Sequence, residues 1–261
     1  MPETQWMRLT APELREAAKA DALVILPVAS LEQHGPHMAT GTDMVLGGAV
    51  ARATADRLDE AGERVVVLPV VWHGLAEHHM AFGGTITLDQ PIFLAVLKGI
   101  AASVARHGFS RLFLLNAHGG NTAAIDIAVT EIGRDLGLAV MGGTYWHIVP
   151  EAIEPLLEDQ PGLMHACEAE TSLMLHLTEG CVREDRMAGA FGPMTTRAPG
   201  QPRGLAVRRS FAHLSQTGVI GDARRASAEK GAALLDAIAG ALVPILMDAA
   251  LWRSAERGRA S

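Results

Sequence analysis

The strongest constraint on the fold is an alternation of short apolar runs with segments of helical length between residues 20 and 140. Four runs, at residues 23–28, 65–70, 111–115 and 138–141, are apolar at nearly every position. Continuous runs of this kind are typical of strands that are buried on both faces of a parallel sheet. The pattern therefore predicts an α/β fold, with a mainly parallel sheet that is covered by helices on both sides.

Local signals place the helices. Thr10 and Glu13 form a capping-box pattern that predicts a first helix ending near residue 20, and Asp89 is expected to cap a later one. Further helices are expected at about residues 42–58, 89–107, 168–177 and 226–247, with another that ends near residue 136. Residues 185–222 are rich in Gly, Pro, Arg, Ser and Thr and are expected to form a loop or hairpin. Since no repeat or long linker interrupts the chain, we expect a single domain over residues 1–261.

Charge and cysteine content limit the classes of function. The net charge of −7 disfavours a nucleic-acid-binding protein, because such proteins are usually basic. Cys167 and Cys181 form neither a disulfide framework nor a zinc-binding pattern, and they are typical of a reducing compartment. The first residues lack the pattern of a signal peptide, and the apolar runs are too short to span a membrane. We therefore expect a cytoplasmic protein that acts on neither nucleic acids nor membranes.

Two loops that follow apolar runs carry candidate metal ligands. One contains Glu32 and His34, with Asp43 nine residues later, and the other contains His118. In extended chain, Glu32 and His34 point to the same side while Gln33 turns away. Both loops are expected at the carboxyl ends of strands, where sites form in open parallel sheets. Nitrogen and oxygen ligands without clustered cysteines favour Zn²⁺, Mn²⁺ or Fe²⁺, and there are enough of them for two ions.

Two further clusters leave alternatives open. His165, Glu168 and Glu170 surround the start of a predicted helix, where acidic residues are also favoured by the helix dipole. Their chemistry fits helix capping and metal ligation equally well. His78 and His79 are adjacent, and adjacent side chains do not face one point in regular structure. We therefore expect one of the two histidines to line a site and the other to be structural.

The order of these motifs resembles that of the creatininase (creatinine amidohydrolase) family. The matching motifs occupy residues 31–35, 42–43, 77–79, 84–85, 116–121 and 170–172. The resemblance extends from about residue 22 to residue 245. It implies a three-layer α/β/α sandwich, which is usually assembled into a homohexamer. It also implies a two-metal centre that hydrolyses C–N bonds of amides, often cyclic ones.

The same resemblance implies which residues bind the two metal ions. Glu32, Asp43 and His118 would bind the first ion. His34 would bind the second ion together with Asp43, which would bridge the two. In creatininase, a glutamate two residues after the matching histidine is a further ligand of the second ion. This chain has Gly120 at that position.

The missing carboxylate must come from elsewhere, and we expect Glu170 to supply it, with Glu168 as the alternative. The resemblance assigns His165 the role of donating a proton to the leaving nitrogen, so His165 and Glu170 are the predicted catalytic pair. His78, Gly119 and Gly120 are expected to contact the substrate. The tryptophan that closes over creatinine in creatininase has no counterpart in residues 160–163, so a different substrate is expected.

We therefore predict a divalent-metal-dependent amidohydrolase in which a metal-bridging hydroxide attacks a small amide, lactam or formamide, often cyclic. One alternative is a peptidase of the mycofactocin-maturation type that acts on a short modified peptide. Another is a metal-binding relative without catalysis, which the glycine at position 120 suggests. The peptidase would need a wide, open site, and the non-catalytic protein would bind metal without hydrolysing any amide.

Overall fold

The computed structural model describes residues 3–202 and 205–256 of the 261-residue chain. The strands are Leu23–Val28 (β1), Val65–Val67 (β2), Arg111–Asn116 (β3) and Ala139–Thr144 (β4). The α-helices are Ala11–Lys19 (α1), Thr42–Glu60 (α2), Gln90–Arg106 (α3), Thr122–Leu136 (α4), Tyr145–Ile148 (α5), Pro150–Ile153 (α6), Glu168–Leu177 (α7), Phe211–Leu214 (α8), Ala228–Leu246 (α9) and Ala249–Glu256 (α10). Short 3₁₀ helices occupy Trp6–Arg8, Glu77–Phe82, Gly119–Asn121, Glu154–Leu156 and Glu184–Gly189.

The four strands form one parallel sheet in the order β2-β1-β3-β4. β1 lies inside the sheet and pairs with β2 and β3, while β4 pairs with β3. Every residue of β1 is buried, as its uninterrupted apolar sequence predicts for a strand covered on both faces. The prediction of a parallel sheet in an α/β fold is confirmed.

Alternate side chains of the strands enter two separate cores on opposite faces of the sheet. Leu23 and Ile25 pack on the face that is covered by α2, α7 and α9. Val24 and Leu26 pack on the other face, which is covered by α3 and α4. Full burial of an aliphatic side chain of this kind stabilises the fold by about 1.5–3 kcal/mol. The helices thus form an outer layer on each face, which is the predicted three-layer arrangement.

Two strands differ in length from the prediction. β2 ends at Val67, although the apolar run continues to residue 70, because the pairing with β1 then shifts by one residue, from Ile25 with Val67 to Val28 with Val71. β4 continues through Gly142 to Thr144. A Cβ atom on Gly142 would lie 2.9 Å from the Cβ of Leu114, so the strand packs there only as glycine. A glycine does not mark a strand in a sequence, and the extension was therefore not predicted.

The predicted capping box is present, since the backbone N–H of Thr10 donates to Glu13 at 2.7 Å. Asp89 precedes α3 as expected, but its side chain makes no capping hydrogen bond. The segment 185–222, expected to be a loop or hairpin, also contains α8 and one bridge between Phe191 and Asp222. Residues 203 and 204 of that segment lie outside the described residues. The last helix, α10, was not predicted.

Within the described ranges, no single helix is both long enough and apolar enough to cross a membrane. Ala228–Leu246 and Ala249–Ala255 meet that criterion only as a pair, across a bend of 64°.

Candidate metal centre

Side chains from separate chain segments converge at the carboxyl-terminal edge of the sheet. Glu32 and His34 follow β1, and His118 follows β3. Asp43 lies in the first turn of α2, and Glu170 lies in the first turn of α7. All of these side chains are buried. The structure therefore brings together every residue that the sequence suggested as a principal metal ligand.

Asp43 lies between two imidazole rings. Its Oδ1 is 3.1 Å from His34 Nε2, and its Oδ2 is 3.2 Å from His118 Nδ1. Glu32 Oε2 is 2.9 Å from the same nitrogen of His118, and Glu170 Oε2 is 3.9 Å from His34 Nε2. Three groups each offer ligand atoms within 4.8 Å of one another: Glu32, Asp43 and His118; His34, Asp43 and Glu170; and Glu32, His34 and His165. The first two, which we call the first and second ligand groups, share only Asp43.

Backbone carbonyls fix the orientation of both imidazole rings. His34 Nδ1 lies 3.1 Å from the backbone oxygen of Glu32, and His118 Nε2 lies 3.2 Å from that of Leu75. A neutral ring, which a bound cation requires, would use its single N–H in this contact and present the lone pair of its other nitrogen to the cation. Metal-binding histidines are held in this way, with the outer N–H donated to a carbonyl or carboxylate.

Unpaired atoms at the centre of the cluster fit bound cations. Glu32 Oε2, His34 Nε2 and Asp43 Oδ2 are buried without a hydrogen-bond partner among the described residues. His118 Nδ1 lies 2.9 Å from Glu32 Oε2 and 3.2 Å from Asp43 Oδ2. An unsatisfied buried polar group costs about 1–3 kcal/mol, so such groups are rarely left unpaired. Nitrogen and oxygen donors that face one another across this space suit divalent ions.

The buried charges shift one another's pKa values. Burial raises the pKa of Glu170 to about 8, and the charge of Asp43 contributes to this rise, although His34 opposes it. Burial lowers the pKa of His34, but the Asp43 carboxylate more than offsets this effect, and the pKa rises to about 9. Burial also raises the pKa of Glu32. The cluster therefore requires compensating positive charge, which ring protons or bound cations can supply.

His165 is held beside the cluster by Gln33. Its Nε2 lies 2.9 Å from the backbone oxygen of Gln33, which accepts the ring proton. Its Nδ1 therefore faces the site, 3.5 Å from Glu32 Oε1. Burial and the neighbouring histidines lower the pKa of His165 well below its usual range. Ala166, at a φ of 54°, turns the chain towards α7, and its N–H donates to Glu170 Oε2 at 2.5 Å.

Two site residues were missed in the sequence. His79 is buried with Nε2 3.2 Å from Glu32 Oε1, and its Nδ1 is 2.8 Å from Gln33 Nε2. The Gln33 side chain, expected to turn away, thus reaches one histidine of the site and lies against His165. His78 also lines the cavity described below, so both adjacent histidines face the site. A 3₁₀ helix over Glu77–Phe82 makes this possible, and no pattern in the sequence predicts that helix.

Glu168, the alternative ligand suggested by the sequence, is directed away from the cluster. Its carboxylate pairs with Lys230 Nζ. It also accepts hydrogen bonds from the backbone N–H of Glu158 at 3.2 Å and from Gln160 Nε2 at 3.2 Å. The prediction of Glu168 as an alternative metal ligand is therefore wrong. Its contacts connect the loop before α7 to the start of α9.

No side chain fits at position 120. A Cβ atom on Gly120 would collide with the backbone oxygen of Leu75 and with His118 Nε2, and it would lie 2.7 Å from His78 Cε1. This loop therefore cannot carry a glutamate in the present backbone conformation. A carboxylate at the second ligand group has to come from another element, and Glu170 of α7 is the one that the structure brings there.

A cavity of about 590 Å³ extends from the cluster to the surface. The expected substrate contacts, His78, Gly119 and Gly120, line the cavity together with four of the ligand candidates, Glu32, Asp43, His118 and Glu170. Phe211 packs against the ring of His79 with a centroid distance of 4.0 Å and closes part of the opposite wall. The volume is within the range of ligand-binding pockets.

Comparison with known proteins gives consistent matches over most of the chain. The sequence pattern of the creatininase family, described as creatinine amidohydrolase, matches residues 7–246. A mycofactocin precursor peptide peptidase of Mycobacterium tuberculosis is 33% identical over 220 residues, which cover 80% of this chain and 78% of that protein. A creatinine amidohydrolase of Pseudomonas putida is 32% identical over 244 residues, which cover 86% and 88%.

Solved structures agree with these matches. A crystal structure of creatininase superposes with a TM-score of 0.78 at 28% identity, and the match covers 94% of this chain and 97% of that chain. Creatininase structures described as a manganese form and as a Zn–Zn type superpose at the same identity with TM-scores of 0.76 and 0.74.

Proposed function

This chain belongs to the creatininase family, and we propose that it is a divalent-metal-dependent amidohydrolase that cleaves the C–N bond of a small amide, lactam or formamide. The observation that carries the proposal is the position of Asp43. Its two carboxylate oxygens face His34 and His118 in two adjoining ligand groups. Divalent ions bound there would polarise a carbonyl oxygen and lower the pKa of bound water.

Each ligand group is proposed to hold one ion. Glu32 and His118 would bind the first, His34 and Glu170 the second, and Asp43 would contact both. Zn²⁺ and Mn²⁺ are the proposed metals, with Fe²⁺ also compatible with this donor set. The manganese and zinc forms of the related creatininase structures support this choice of ions.

His165 is proposed to move the proton that amide hydrolysis requires. A C–N bond breaks only if the departing nitrogen is protonated, and an imidazole within reach can donate that proton. The Nδ1 atom of His165 faces the site, while its Nε2 proton is held by the backbone of Gln33. A lowered pKa keeps the ring neutral, so Nδ1 can accept a proton from the attacking water and then pass it to the leaving nitrogen.

The cavity walls are proposed to hold the substrate over the cluster. His78, Gly119 and Gly120 line the cavity next to His118. The backbone N–H groups of Gly119 and Gly120 are suited to stabilise the negative charge that develops on a carbonyl oxygen. Burial lowers the pKa of His78 to about 4, so its ring is neutral and can donate or accept a hydrogen bond.

Metal content is the first test of this proposal. Elemental analysis of protein purified without chelator should give two ions per chain in the wild type and one in Glu170→Gln. Glu168→Gln is a matched control, because Glu168 is also buried in the first turn of α7 but pairs with Lys230. It should keep both ions. Equal metal content in Glu170→Gln and the wild type would show that Glu170 is not a metal ligand.

Activity is the second test. A panel of lactams, formamides and linear amides should reveal hydrolysis that chelation abolishes and that Zn²⁺ or Mn²⁺ restores. His118→Ala should lose both metal and activity. Hydrolysis that continues at the full rate after chelation would disprove the metal-dependent mechanism.

A peptidase that acts on a short modified peptide is the second candidate. The cavity of about 590 Å³ leaves room for more than a small heterocycle, and the similarity to the mycofactocin peptidase points to the same activity. Hydrolysis of short peptides but not of lactams would favour it.

A non-catalytic metal-binding relative is less well supported, because its rationale was the missing carboxylate and Glu170 lies beside His34. The expectations of a homohexamer and of a cytoplasmic location stay predictions.

A further inference from the structure

A second cavity adjoins the one that opens from the metal cluster. Its volume is about 900 Å³, and it shares Thr195 and Arg197 with the first cavity. The two cavities together extend from the buried carboxylates to the exposed segment that contains these two residues. Space of this extent exceeds what a small heterocyclic amide would fill. The part of the substrate that lies beyond the scissile bond would therefore meet the shared wall.

The shared wall is cationic. Arg197 is the only lysine or arginine among the described residues that line the first cavity. The second cavity is also lined by Arg209 and His213, and no described Asp or Glu contributes to it. The backbone N–H of Arg197 binds Thr195 Oγ1 at 3.1 Å, but in residues 3–202 and 205–256 no side chain or carbonyl pairs with its guanidinium. An arginine without a partner is free to bind an anion.

Hydrogen bonds hold the backbone on both sides of Arg197. Arg209 donates to the backbone oxygen of Thr196 at 3.1 Å and to Gln201 Oε1 at 2.8 Å. The same oxygen of Gln201 accepts the N–H of Ala198 at 3.1 Å. These bonds fix the residues immediately before and after Arg197. The backbone of Arg197 is therefore held at the junction of the two cavities by the surrounding segment.

Phe211 connects this segment to the metal cluster. Its ring packs against His165 at a centroid distance of 5.0 Å, in addition to its contact with His79. Arg209 precedes Phe211 by two residues, and His213 follows it by two. The wall that contains Arg197 and Arg209 and the proposed reaction centre are thus parts of one packed unit.

We propose that the substrate carries an anionic group, a carboxylate or a phosphate, away from the scissile amide, and that Arg197 binds this group. The inference rests on the proposed function and narrows its substrate to charged linear amides such as N-acyl amino acids or short peptides. A chain with a net charge of −7 repels anions in general, so a local cation is needed to admit one. Two divalent ions would carry one more positive charge than the carboxylates of Glu32, Asp43 and Glu170, so the cavity floor would not oppose binding.

Paired hydroxamates test the inference without requiring turnover. A hydroxamate binds divalent metals, and a spacer of graded length can carry a carboxylate, a phosphonate or a neutral carboxamide at its far end. We would measure the affinity of each probe by calorimetry for wild-type protein loaded with Zn²⁺, for Arg197→Gln and for Arg208→Gln. Arg208 is the matched control, because it is exposed on the same segment but does not line either cavity.

We expect one anionic probe to bind the wild type about tenfold more tightly than its carboxamide partner, since hydrogen bonds to charged groups are strong. Arg197→Gln should abolish the difference, and Arg208→Gln should preserve it. The better anion, carboxylate or phosphonate, identifies the group that the site accepts. Equal affinities of anionic and neutral probes in the wild type, or an advantage that survives Arg197→Gln, would overturn the inference and leave the proposed function intact. Failure of every hydroxamate to bind would instead refute the metal centre, and the inference with it.

Discussion

Glu170 Oε2 lies 3.9 Å from His34 Nε2, although the two residues come from α7 and from the loop after β1. This pair completes the second ligand group, which the loop containing Gly120 cannot do. The carboxylate is delivered by the first turn of a buried helix, whose position is set by packing against α2 and α9. The geometry of the second group therefore depends on core packing more than on loop sequence.

Gly120→Ala should disrupt the site. The added Cβ collides with the backbone of Leu75 and with His118, so one of them must move. We expect a loss of about 1–3 kcal/mol in the free energy of unfolding, together with reduced metal content.

Gly99→Ala in α3 is the control, because open space surrounds that glycine, and it should stabilise the protein by about 0.5–1 kcal/mol. Urea unfolding and elemental analysis measure both effects. Wild-type stability and metal content in Gly120→Ala would show that the loop relaxes around the new methyl group.

Gln33→Leu should lower activity without removing metal. The Gln33 amide donates to His79 and to the backbone oxygen of Gly218, at 2.8 and 3.1 Å, and its backbone oxygen accepts from His165. The substitution removes the amide but keeps the backbone oxygen that holds His165, so the ring of His79 is the one freed to reorient. We expect kcat to fall about 10–100-fold with two ions still bound. Nitrogen NMR of the histidine rings should report changed tautomers. Gln216→Leu is the control, because Gln216 is exposed, and it should change neither the NMR spectrum nor kcat. An unaltered spectrum in Gln33→Leu would contradict the proposed role of Gln33 in orienting the ring of His79.

Lys230→Met should destabilise the fold. Glu168 is fully buried, and the ammonium group of Lys230 is its only cationic partner among the described residues. Removing one member of a buried pair leaves an uncompensated charge, which we expect to cost about 3 kcal/mol. Lys98→Met is the control, because Lys98 forms its ion pairs on the surface and should matter little. Equal urea midpoints for the two variants would show that the Glu168 pair does not stabilise the protein.

Chelator-treated protein should lose stability as pH rises from about 6.5 to 9. In the folded chain Glu170 has a pKa raised from 4.5 to about 8, and His34 has one raised from 6.5 to about 9. Glu170 therefore binds an extra proton in the folded state between about pH 4.5 and 8, and His34 does so between about pH 6.5 and 9, so the stability that each contributes is lost as pH rises through its own range. Metal-loaded protein should show the opposite slope, because metal ligation requires deprotonated ligands. Thermal unfolding of both forms across this pH range is the measurement. Parallel slopes would mean that metal and protons do not compete at this cluster.

The sequence predicted the architecture well where apolar runs were long and uninterrupted. β1 and β3 were placed to within a residue, since strands buried on both faces are marked by composition alone. The ends of β2 and β4 were missed. β2 ends where its pairing with β1 shifts by one residue, and Gly142 permits the extension of β4 through a close contact with Leu114 that exists only after folding.

The candidate site was predicted in part. Four ligand candidates lie in or shortly after loops that the sequence marks, and the structure brings them together: Glu32, His34, Asp43 and His118. The contact between His79 and Glu32 depends on a 3₁₀ helix, for which the sequence carries no distinct signal. The cationic wall is formed by a segment whose composition predicted only a loop. What the sequence could not supply is the set of tertiary contacts that orients these side chains.

The contact between Gln33 and His165 joins residues that are 132 positions apart in the chain. Contacts of such large sequence separation form late, because the intervening chain loses entropy when its ends meet. We therefore expect the metal centre to assemble only after α7 has docked on the sheet, so that no early folding intermediate captures metal tightly. Bound ions would then slow unfolding and leave the folding rate nearly unchanged. The metal-loaded protein would therefore stay folded longer, although it would fold no faster.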